Sequence, residues 1–570
     1  MFLKSILIEN FRGITKLSID LNNTTVLIGE NNAGKTSVLE ALFACMNRVL
    51  SRRSAPFSEY DFHLATKISE PSDAPPIVIT LVFEERKKDE WPKEIDQILE
   101  KTVQLLDDER RRISFRVSSK YEKATNDFSV EWCFLDKDGN ILPTAKNPKL
   151  VSDLQLLAPV FYLSAVRDAT QHFNQKSPFW GSFTKNPKID EAKRKEIEEQ
   201  IEKINQSVLD GHQPFEVIKE KLAQVADFLP LGPPDLVSIE AIPARIFDML
   251  SKTQVKLTAR TGASLPIAQH GAGTQSLSIL FLFEAFLHSQ LTEVYEKATE
   301  PLLALEEPEL HLHPSAIRSL WGTIEKFAGQ KIIATHSGDL LAAVPLKSIR
   351  RLARKNGTSQ IFYVKDSTLD PEEEQKVTYH VRSKRGALMF ARCWLFVEGE
   401  TEFILLPELA RLMGKDFVLA GVCCVEFAQC RIDTLIKVAD DLGIEWHALT
   451  DGDQAGKDYA KTVKRMVGKV PEIVRLSTLA EDNMEECMWA AGFHGVFENS
   501  VDQRHKQLIT ATPGSRDYIK QTIEHALRST SKPQLAYAII NEMETSGKIK
   551  IPDKLKTAIE VATKLAKKSS

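Results

Sequence analysis

Gly29-Glu30-Asn31-Asn32-Ala33-Gly34-Lys35-Thr36 fits the phosphate-loop pattern G-x-x-x-x-G-K-[ST] at every fixed position. The flanks agree with it. Thr24-Thr25-Val26-Leu27-Ile28 is an apolar strand run, and Val38, Leu39, Leu42, Met46 and Val49 then recur at helical spacing. Such a loop curls backbone N–H groups around phosphate oxygens, and the following helix adds positive partial charge. Lys35 is expected to reach the β- and γ-phosphates of ATP and the Thr36 hydroxyl to ligate Mg²⁺. Asn31, Asn32, Gly34 and Ser37 complete the expected nucleotide-binding loop.

The rest of that site is expected far downstream. Pro301-Leu302-Leu303-Ala304-Leu305-Glu306-Glu307-Pro308-Glu309 is an apolar strand ending in acids. A carboxylate there holds Mg²⁺ through water and a second polarises the attacking water, roles assigned to Glu306 and Glu307 in that order. Lys331-Ile332-Ile333-Ala334-Thr335-His336-Ser337 is a further strand whose terminal His336 is placed to contact the γ-phosphate. With Asn10-Phe11-Arg12-Gly13 ahead of the loop, the order of motifs resembles the ATP-binding-cassette ATPases of repair and chromosome maintenance. That resemblance implies that Arg12 approaches the nucleotide and that a signature loop from a second subunit closes over the γ-phosphate. The candidate signature, Gln269-His270-Gly271-Ala272-Gly273-Thr274-Gln275-Ser276, departs from the common S-G-G-x-Q form. His311 and His313 are read as part of a D-loop-like turn rather than as zinc ligands.

Different chemistry follows residue 380. Trp394-Leu395-Phe396-Val397-Glu398-Gly399-Glu400-Thr401-Glu402 is a strand running into acids, and Trp446-His447-Ala448-Leu449-Thr450-Asp451-Gly452-Asp453 is a strand ending in D-x-D. Carboxylates at the C-terminal ends of parallel strands converge on one crevice. Acids that close repel unless divalent cations neutralise them, and hard oxygen ligands suit Mg²⁺ or Mn²⁺. A pair of such ions activates water and stabilises a leaving oxygen in phosphodiester cleavage. The two stretches together resemble a Toprim domain. Glu398, Glu402, Asp451 and Asp453 are the expected catalytic and metal-binding acids. Glu485 is expected to add a later ligand; the resemblance puts the first acid of that short motif closer to the metal, a place for which Asp482 and Asn483 compete. Lys532 resembles the late lysine that stabilises a charged phosphate.

A cassette ATPase followed by a Toprim domain resembles the overcoming-lysogenization-defect (OLD) family of nucleases, to which the Gabija-system nucleases belong. The resemblance implies an α/β chain laid out as an ATPase half at 1–165, a helical insertion at 166–235 that dimerises, a second ATPase half at 236–379, and a Toprim nuclease domain with C-terminal helices at 380–570. It implies an ATP-regulated, Mg²⁺- or Mn²⁺-dependent DNA endonuclease or nickase in bacterial anti-phage defence, working as a homodimer or larger homo-oligomer. Family members act alone, with a helicase, or beside a reverse transcriptase and its RNA–DNA product, and ATP either licenses or inhibits cutting; all of these stay open. The alternative is an ATP-gated DNA-binding sensor or repair protein with a silent Toprim site. A topoisomerase or primase is a weaker reading, because neither a tyrosine module nor zinc-ribbon cysteines are recognisable.

Bulk composition bounds the rest. The 570 residues amount to about three to five domains' worth of chain. With 43% hydrophobic and 27% charged residues, a largely disordered or collagen-like chain is excluded. The formal net charge of −4 does not advertise a nucleic-acid binder, so DNA contact must come from local charge. Two candidates are Arg110-Arg111-Arg112 with Arg116 and Lys120, and the lysine-rich tail after Glu544, whose apolar series Ile551, Leu555, Ile559, Ala562 and Leu565 also reads as a helix packed on the Toprim domain. Ile189 to Val208, with Ile197, Ile201 and Ile204 as a thin apolar stripe, reads as an exposed or partner-packed helix ended by Leu229-Pro230-Leu231-Gly232-Pro233-Pro234-Asp235. The apolar run near Leu277–Leu287, interrupted by Glu284, reads as a buried helix rather than a membrane span. No secretion signal is expected at the N-terminus, and seven cysteines without a C-x-x-C pair suit a reduced cytoplasmic protein.

Overall fold

Phe2–Phe11 alternates in hydrophobicity and forms strand β1, with Leu3, Ile6, Ile8 and Phe11 buried. The structure is a computed structural model. It describes the chain except residues 47–55, 65–69, 123–126, 144, 146, 174–176, 178, 186–188, 212–213, 215–216, 219–241, 244, 252, 259–261, 292–297, 356, 384–385, 429, 548 and 569–570. The described strands continue with β2 (Ile14–Asp20), β3 (Thr24–Gly29), β4 (Ile77–Glu84), β5 (Gln104–Leu105), β6 (Arg111–Glu122), β7 (Asp127–Leu135) and β8 (Val160–Leu163). A short pair follows, β9 (Lys256–Thr258) and β10 (Ser264–Pro266), then β11 (Leu302–Glu306), β12 (Gln330–Ala334), β13 (Ile349–Lys355) and β14 (Thr358–Phe362). The last four are β15 (Cys393–Val397), β16 (Val422–Glu426), β17 (Glu445–Thr450) and β18 (Leu476–Thr478).

The chain divides into two compact units. One comprises Met1–Leu163, Glu300–Glu309 and Pro314–Ser570; the other comprises Ser164–Thr299 with Leu310–His313. Among the described residues the first unit holds three sheets. An antiparallel sheet has the order β2-β1-β4-β6-β5, with β7 on β6. A second sheet has the order β14-β13-β3-β12-β11-β8, parallel from β13 to β8 with β14 antiparallel at the edge. A third, wholly parallel sheet has the order β16-β15-β17-β18. The phosphate-loop strand β3 is therefore central, with Val26, Leu27 and Ile28 fully buried. The strands that lead into the two acid stretches of the third sheet, β15 and β17, are neighbours at its centre, and the fold is mixed α/β throughout.

Packing explains the C-terminal helices. Leu405, Leu406 and Leu409 of helix Glu400–Leu412, Ile539 and Met543 of helix Lys532–Ser546, and Leu555, Ile559 and Ala562 of helix Asp553–Lys568 share one core with Leu395 and Val397 of β15. The apolar series of the tail thus seats a helix, and its lysines form the other face. The Arg110–Arg112 triplet is ion-paired with acids around its own sheet. Arg110 pairs with Glu84 and Asp108, Arg111 with Glu85 and Asp96, and Arg112 with Glu84.

In the second unit, helix Ala272–Ser289 buries Ile279, Leu280, Phe283, Phe286 and Leu287, and the Phe179 ring lies 5.0 Å from that of Phe283. Helix Glu191–Asp210 starts at Asp190, whose carboxylate accepts from the Lys193 N–H. Its stripe is thin: Ile201 is buried, whereas Ile204 is 49% exposed. The Leu229–Asp235 stretch lies outside the described residues. Among the described residues no helix is long and apolar enough to cross a membrane. The seven cysteines are unbridged, and five of them are buried.

Candidate functional site

Two constellations in the first unit bring the expected residues together. At the C-terminal end of β3, a cavity of about 590 Å³ is lined by Arg12, Gly13, Asn31, Asn32, Gly34, Lys35, Thr36, Ser37, His336 and Arg354. Gly29 is needed here as glycine. Its φ is +146°, and a Cβ would sit 2.2 Å from the Leu352 carbonyl oxygen. The Lys35 ammonium is turned back on the loop, donating to the carbonyls of Gly29 (2.9 Å) and Glu30 (3.0 Å). Burial lowers its pKa to about 8, against the pull of Glu307, Glu306 and Glu30.

The acids stand opposite. Glu306 accepts from the Thr36 hydroxyl and, through its other oxygen, from the Tyr162 hydroxyl at 2.7 Å. The His336 N–H donates to Glu307 at 3.2 Å, and the ring Nε2 lies 3.8 Å from its other oxygen. Burial first, and then the neighbouring Glu309, push the Glu307 carboxyl up. The His336 imidazole is pushed down by burial and by Lys35. Arg12 is held by Asp61 (2.8 Å) and by Glu40. Arg12, Asn32 and Glu307 all adopt left-handed backbone, at φ 51°, 63° and 42°. Non-glycine residues rarely do so, and three at one site mark stored strain. Tyr162, Arg354, Glu309 and Glu40 were not singled out from sequence. Tyr162 and Arg354 lie far in the chain from the loop, Glu309 follows an acid run whose members look alike, and Glu40, only four residues past Thr36, reads as an ordinary helix acid.

The second constellation lies at the ends of β15 and β17. Glu398 follows β15, and Glu402 sits in the first turn of the next helix, accepting from the Gly399 N–H at 3.2 Å. Asp451 follows β17, and Asp453 caps helix Gln454–Met466 by accepting from the Gly456 N–H at 2.7 Å. Gly456 admits no side chain, since a Cβ would lie 2.1 Å from the Asp451 carbonyl oxygen. Glu485 is buried, takes the Thr401 hydroxyl at 2.9 Å, and lies 3.7 Å from the Lys532 ammonium.

Electrostatics tie five of these acids into one group. Burial, then Glu402, Glu398, Glu485 and Asp453, push Asp451 up to about 8. Burial raises Glu402 to about 7 with a contribution from Glu485, and burial with Asp453 raises Glu398. Asp482 is different. It pairs with Lys520 (3.0 Å) and Arg516 (3.1 Å), and the Lys520 contact foremost holds it below the usual carboxylate range. Asn483 caps helix Met484–Met488 through the Glu486 N–H at 2.8 Å.

The donor set fits a hard divalent cation. Glu398 Oε2 is buried and has no hydrogen-bond partner among the described residues, which is costly for a carboxylate unless a cation supplies the missing contact. Among the described residues no three His, Cys, Asp or Glu side chains are already gathered into a metal cage. The acids are nonetheless close enough to raise one another's proton affinity.

A family model described as "Protein of unknown function (DUF2813)" matches residues 1–387. The chain belongs to the DUF2813 family. A second model, the TOPRIM domain of proteins like the overcoming lysogenization defect protein, matches residues 389–453, which hold Glu398, Glu402, Asp451 and Asp453. This DUF2813 chain therefore carries an OLD-like Toprim domain. The protein YbjD of Escherichia coli (strain K12) is 29% identical over 570 residues, 98% of this chain and 97% of that one. Endonuclease GajA of Bacillus cereus (strain VD045) is 22% identical over 492 residues, covering 85% and 80%. The OLD nuclease of Thermus scotoductus (strain ATCC 700910 / SA-01) is 25% identical over 481 residues, covering 79% and 82%.

Proposed function

We propose that this protein is a DNA endonuclease or nickase that depends on Mg²⁺ or Mn²⁺ and is regulated by ATP. The carrying observation is the juxtaposition of five carboxylates, Glu398, Glu402, Asp451, Asp453 and Glu485, around strand ends in a Toprim domain, with Lys532 beside them. Relatives named OLD nuclease and endonuclease GajA support the nuclease reading. These acids would hold the cation, which supplies activation of water and stabilisation of the leaving oxygen when bound. Lys532 stands where its charge would meet a phosphodiester oxygen. Asp482 stays outside the ligand set, tied to Arg516 and Lys520.

In the other constellation, Lys35 would leave the loop carbonyls for the β- and γ-phosphates of ATP, and Thr36 with Glu306 would hold its Mg²⁺. Glu307, kept near His336, would orient the attacking water. Anti-phage defence is the biological setting that the OLD and Gabija resemblance suggests. The test is digestion of supercoiled and linear DNA with Mn²⁺ or Mg²⁺, with and without ATP. Metal-dependent nicks or breaks that disappear in Asp451→Ala support the reading, and intact DNA under every condition overturns it.

A further inference from the structure

The phosphate loop and the Toprim sheet are joined by side chains rather than by chain proximity. The Arg392 guanidinium grips Glu30, the second residue of the loop: Nη2 donates to Oε2 at 2.9 Å and Nε donates to Oε1. Planar two-point pairing of this kind fixes orientation as well as charge. The backbone of Arg392 is itself stitched into the Toprim sheet. Its N–H donates to the Gly421 carbonyl (2.8 Å), and its own carbonyl accepts from Glu445 (3.0 Å). One residue thus has its main chain in one sheet and its side chain on the nucleotide loop of another.

Neighbouring contacts repeat the arrangement. Buried Arg351, on the strand beside β3, donates to the carbonyls of Ala391 (3.0 Å) and Leu442 (3.1 Å). The Phe390 ring stacks near that of His336, centroids 6.4 Å apart and planes at 20°. Gly386, at φ +63°, lies so close to the helix that follows His336, Gly338–Leu341, that a Cβ would be 2.6 Å from the Gly338 carbonyl oxygen. The segment Gly386–Arg392 therefore touches both the phosphate loop, at Glu30, and the His336 turn with the helix after it. It runs straight into β15, whose end delivers Glu398, about 20 Å away at roughly 3.3 Å per residue.

We infer that Arg392 is a positioning residue shared by the two sites: through Glu30 it registers phosphate in the loop and passes that state along β15 to Glu398. This rests on the proposed reading of the two sites as nucleotide and nuclease sites. Phosphates arriving at Lys35 bring negative charge beside Glu30, so the loop settles with Glu30 clamped on Arg392 and β15 tightened. A linkage of this kind typically amounts to about 5- to 150-fold between sites and acts in both directions.

Hydrogen exchange of the full-length protein, with and without a non-hydrolysable ATP analogue and Mg²⁺, tests it without requiring cleavage. In the wild type, amides of 390–398 should exchange more slowly with the analogue, by about fivefold or more. In Arg392→Ala that difference should vanish although the analogue still binds by calorimetry. Arg392→Lys should restore part of it. Glu30→Gln should lose it too, and the Glu30→Gln/Arg392→Ala pair should lose nothing further, the non-additivity expected of one contact. Where DNA is cut, the ratio of rates with and without ATP should fall toward one in Arg392→Ala while cutting without nucleotide persists. No exchange difference in the wild type, or an undiminished one in Arg392→Ala, overturns the inference. Intact exchange coupling without any DNA cutting overturns the nuclease reading alone.

Discussion

Lys520 Nζ lies 3.0 Å from Asp482 Oδ2, while Glu485, three residues on, faces the buried acids and Lys532. The contact separates two acids that look interchangeable in sequence. Asp482→Asn should change metal-dependent cleavage by no more than about fivefold, the scale of an exposed ion pair. Glu485→Gln should lower it by about 100-fold or more, since even a ligand's supporting partner is worth about 10- to 100-fold. Single-turnover cleavage rates on a nicked-circle assay measure both. The reverse pattern would move Asp482 into the ligand set.

Asp451 is the acid on which the other four bear most heavily. Asp451→Ala should cut DNA cleavage by about 100-fold or more, while ATP affinity by calorimetry stays near the wild-type value. Retained cleavage would remove the cluster from the chemistry.

Lys35 spends its donors on loop carbonyls, which ATP phosphates would replace. Lys35→Ala should weaken ATP binding by about 10- to 100-fold, the worth of charge-assisted hydrogen bonds. Unchanged ATP affinity would dispose of the phosphate-loop assignment.

The buried acids also predict a pH dependence of stability. Asp451 is raised to about 8 and Glu402 to about 7, both above their unfolded values near 4. Between those limits the folded protein binds more protons than the unfolded chain, so the stability of metal-free protein should fall as pH rises from about 5 to 8. Mn²⁺ should reverse the fall, raising the melting temperature more at pH 8 than at pH 5.5. Thermal scans with and without EDTA measure this, and Asp451→Asn should flatten both trends. A metal-free melting temperature that rises over this range would contradict the arrangement of the acids.

Local chemistry was legible in the sequence; distant pairing was not. The phosphate loop, the Glu306–Glu307 strand end and the D-x-D turn each keep their residues within one short segment, so strand, turn and acid can be read together. Strand β13 carries no readable strand signal, because Ile349-Arg350-Arg351-Leu352 has the look of a charged surface. Arg350 and Arg351 are in fact buried, and their guanidinium groups donate to carbonyls of Asp20, Lys347, Ala391 and Leu442. Backbone carbonyls leave no mark in a sequence, so such a strand has no pattern to find. The same holds for Tyr162, whose partner Glu306 lies 144 residues away. The arginine triplet is the opposite case: its charge stands out in the sequence, while its pairing with Glu84 and Glu85, more than 25 residues earlier, does not.

The central place of β3 also sets an order of assembly. Its two neighbours, β12 and β13, are more than 300 residues later in the chain. At roughly 5–20 residues per second of synthesis, the phosphate-loop strand waits tens of seconds for either one. During that wait Val26, Leu27 and Ile28 have no sheet to enter, and the loop cannot take its shape. A nascent chain released before residue 355 therefore carries the motif but not the site, and the newly made protein gains its nucleotide pocket only when the segment leading to the Toprim domain is about to emerge.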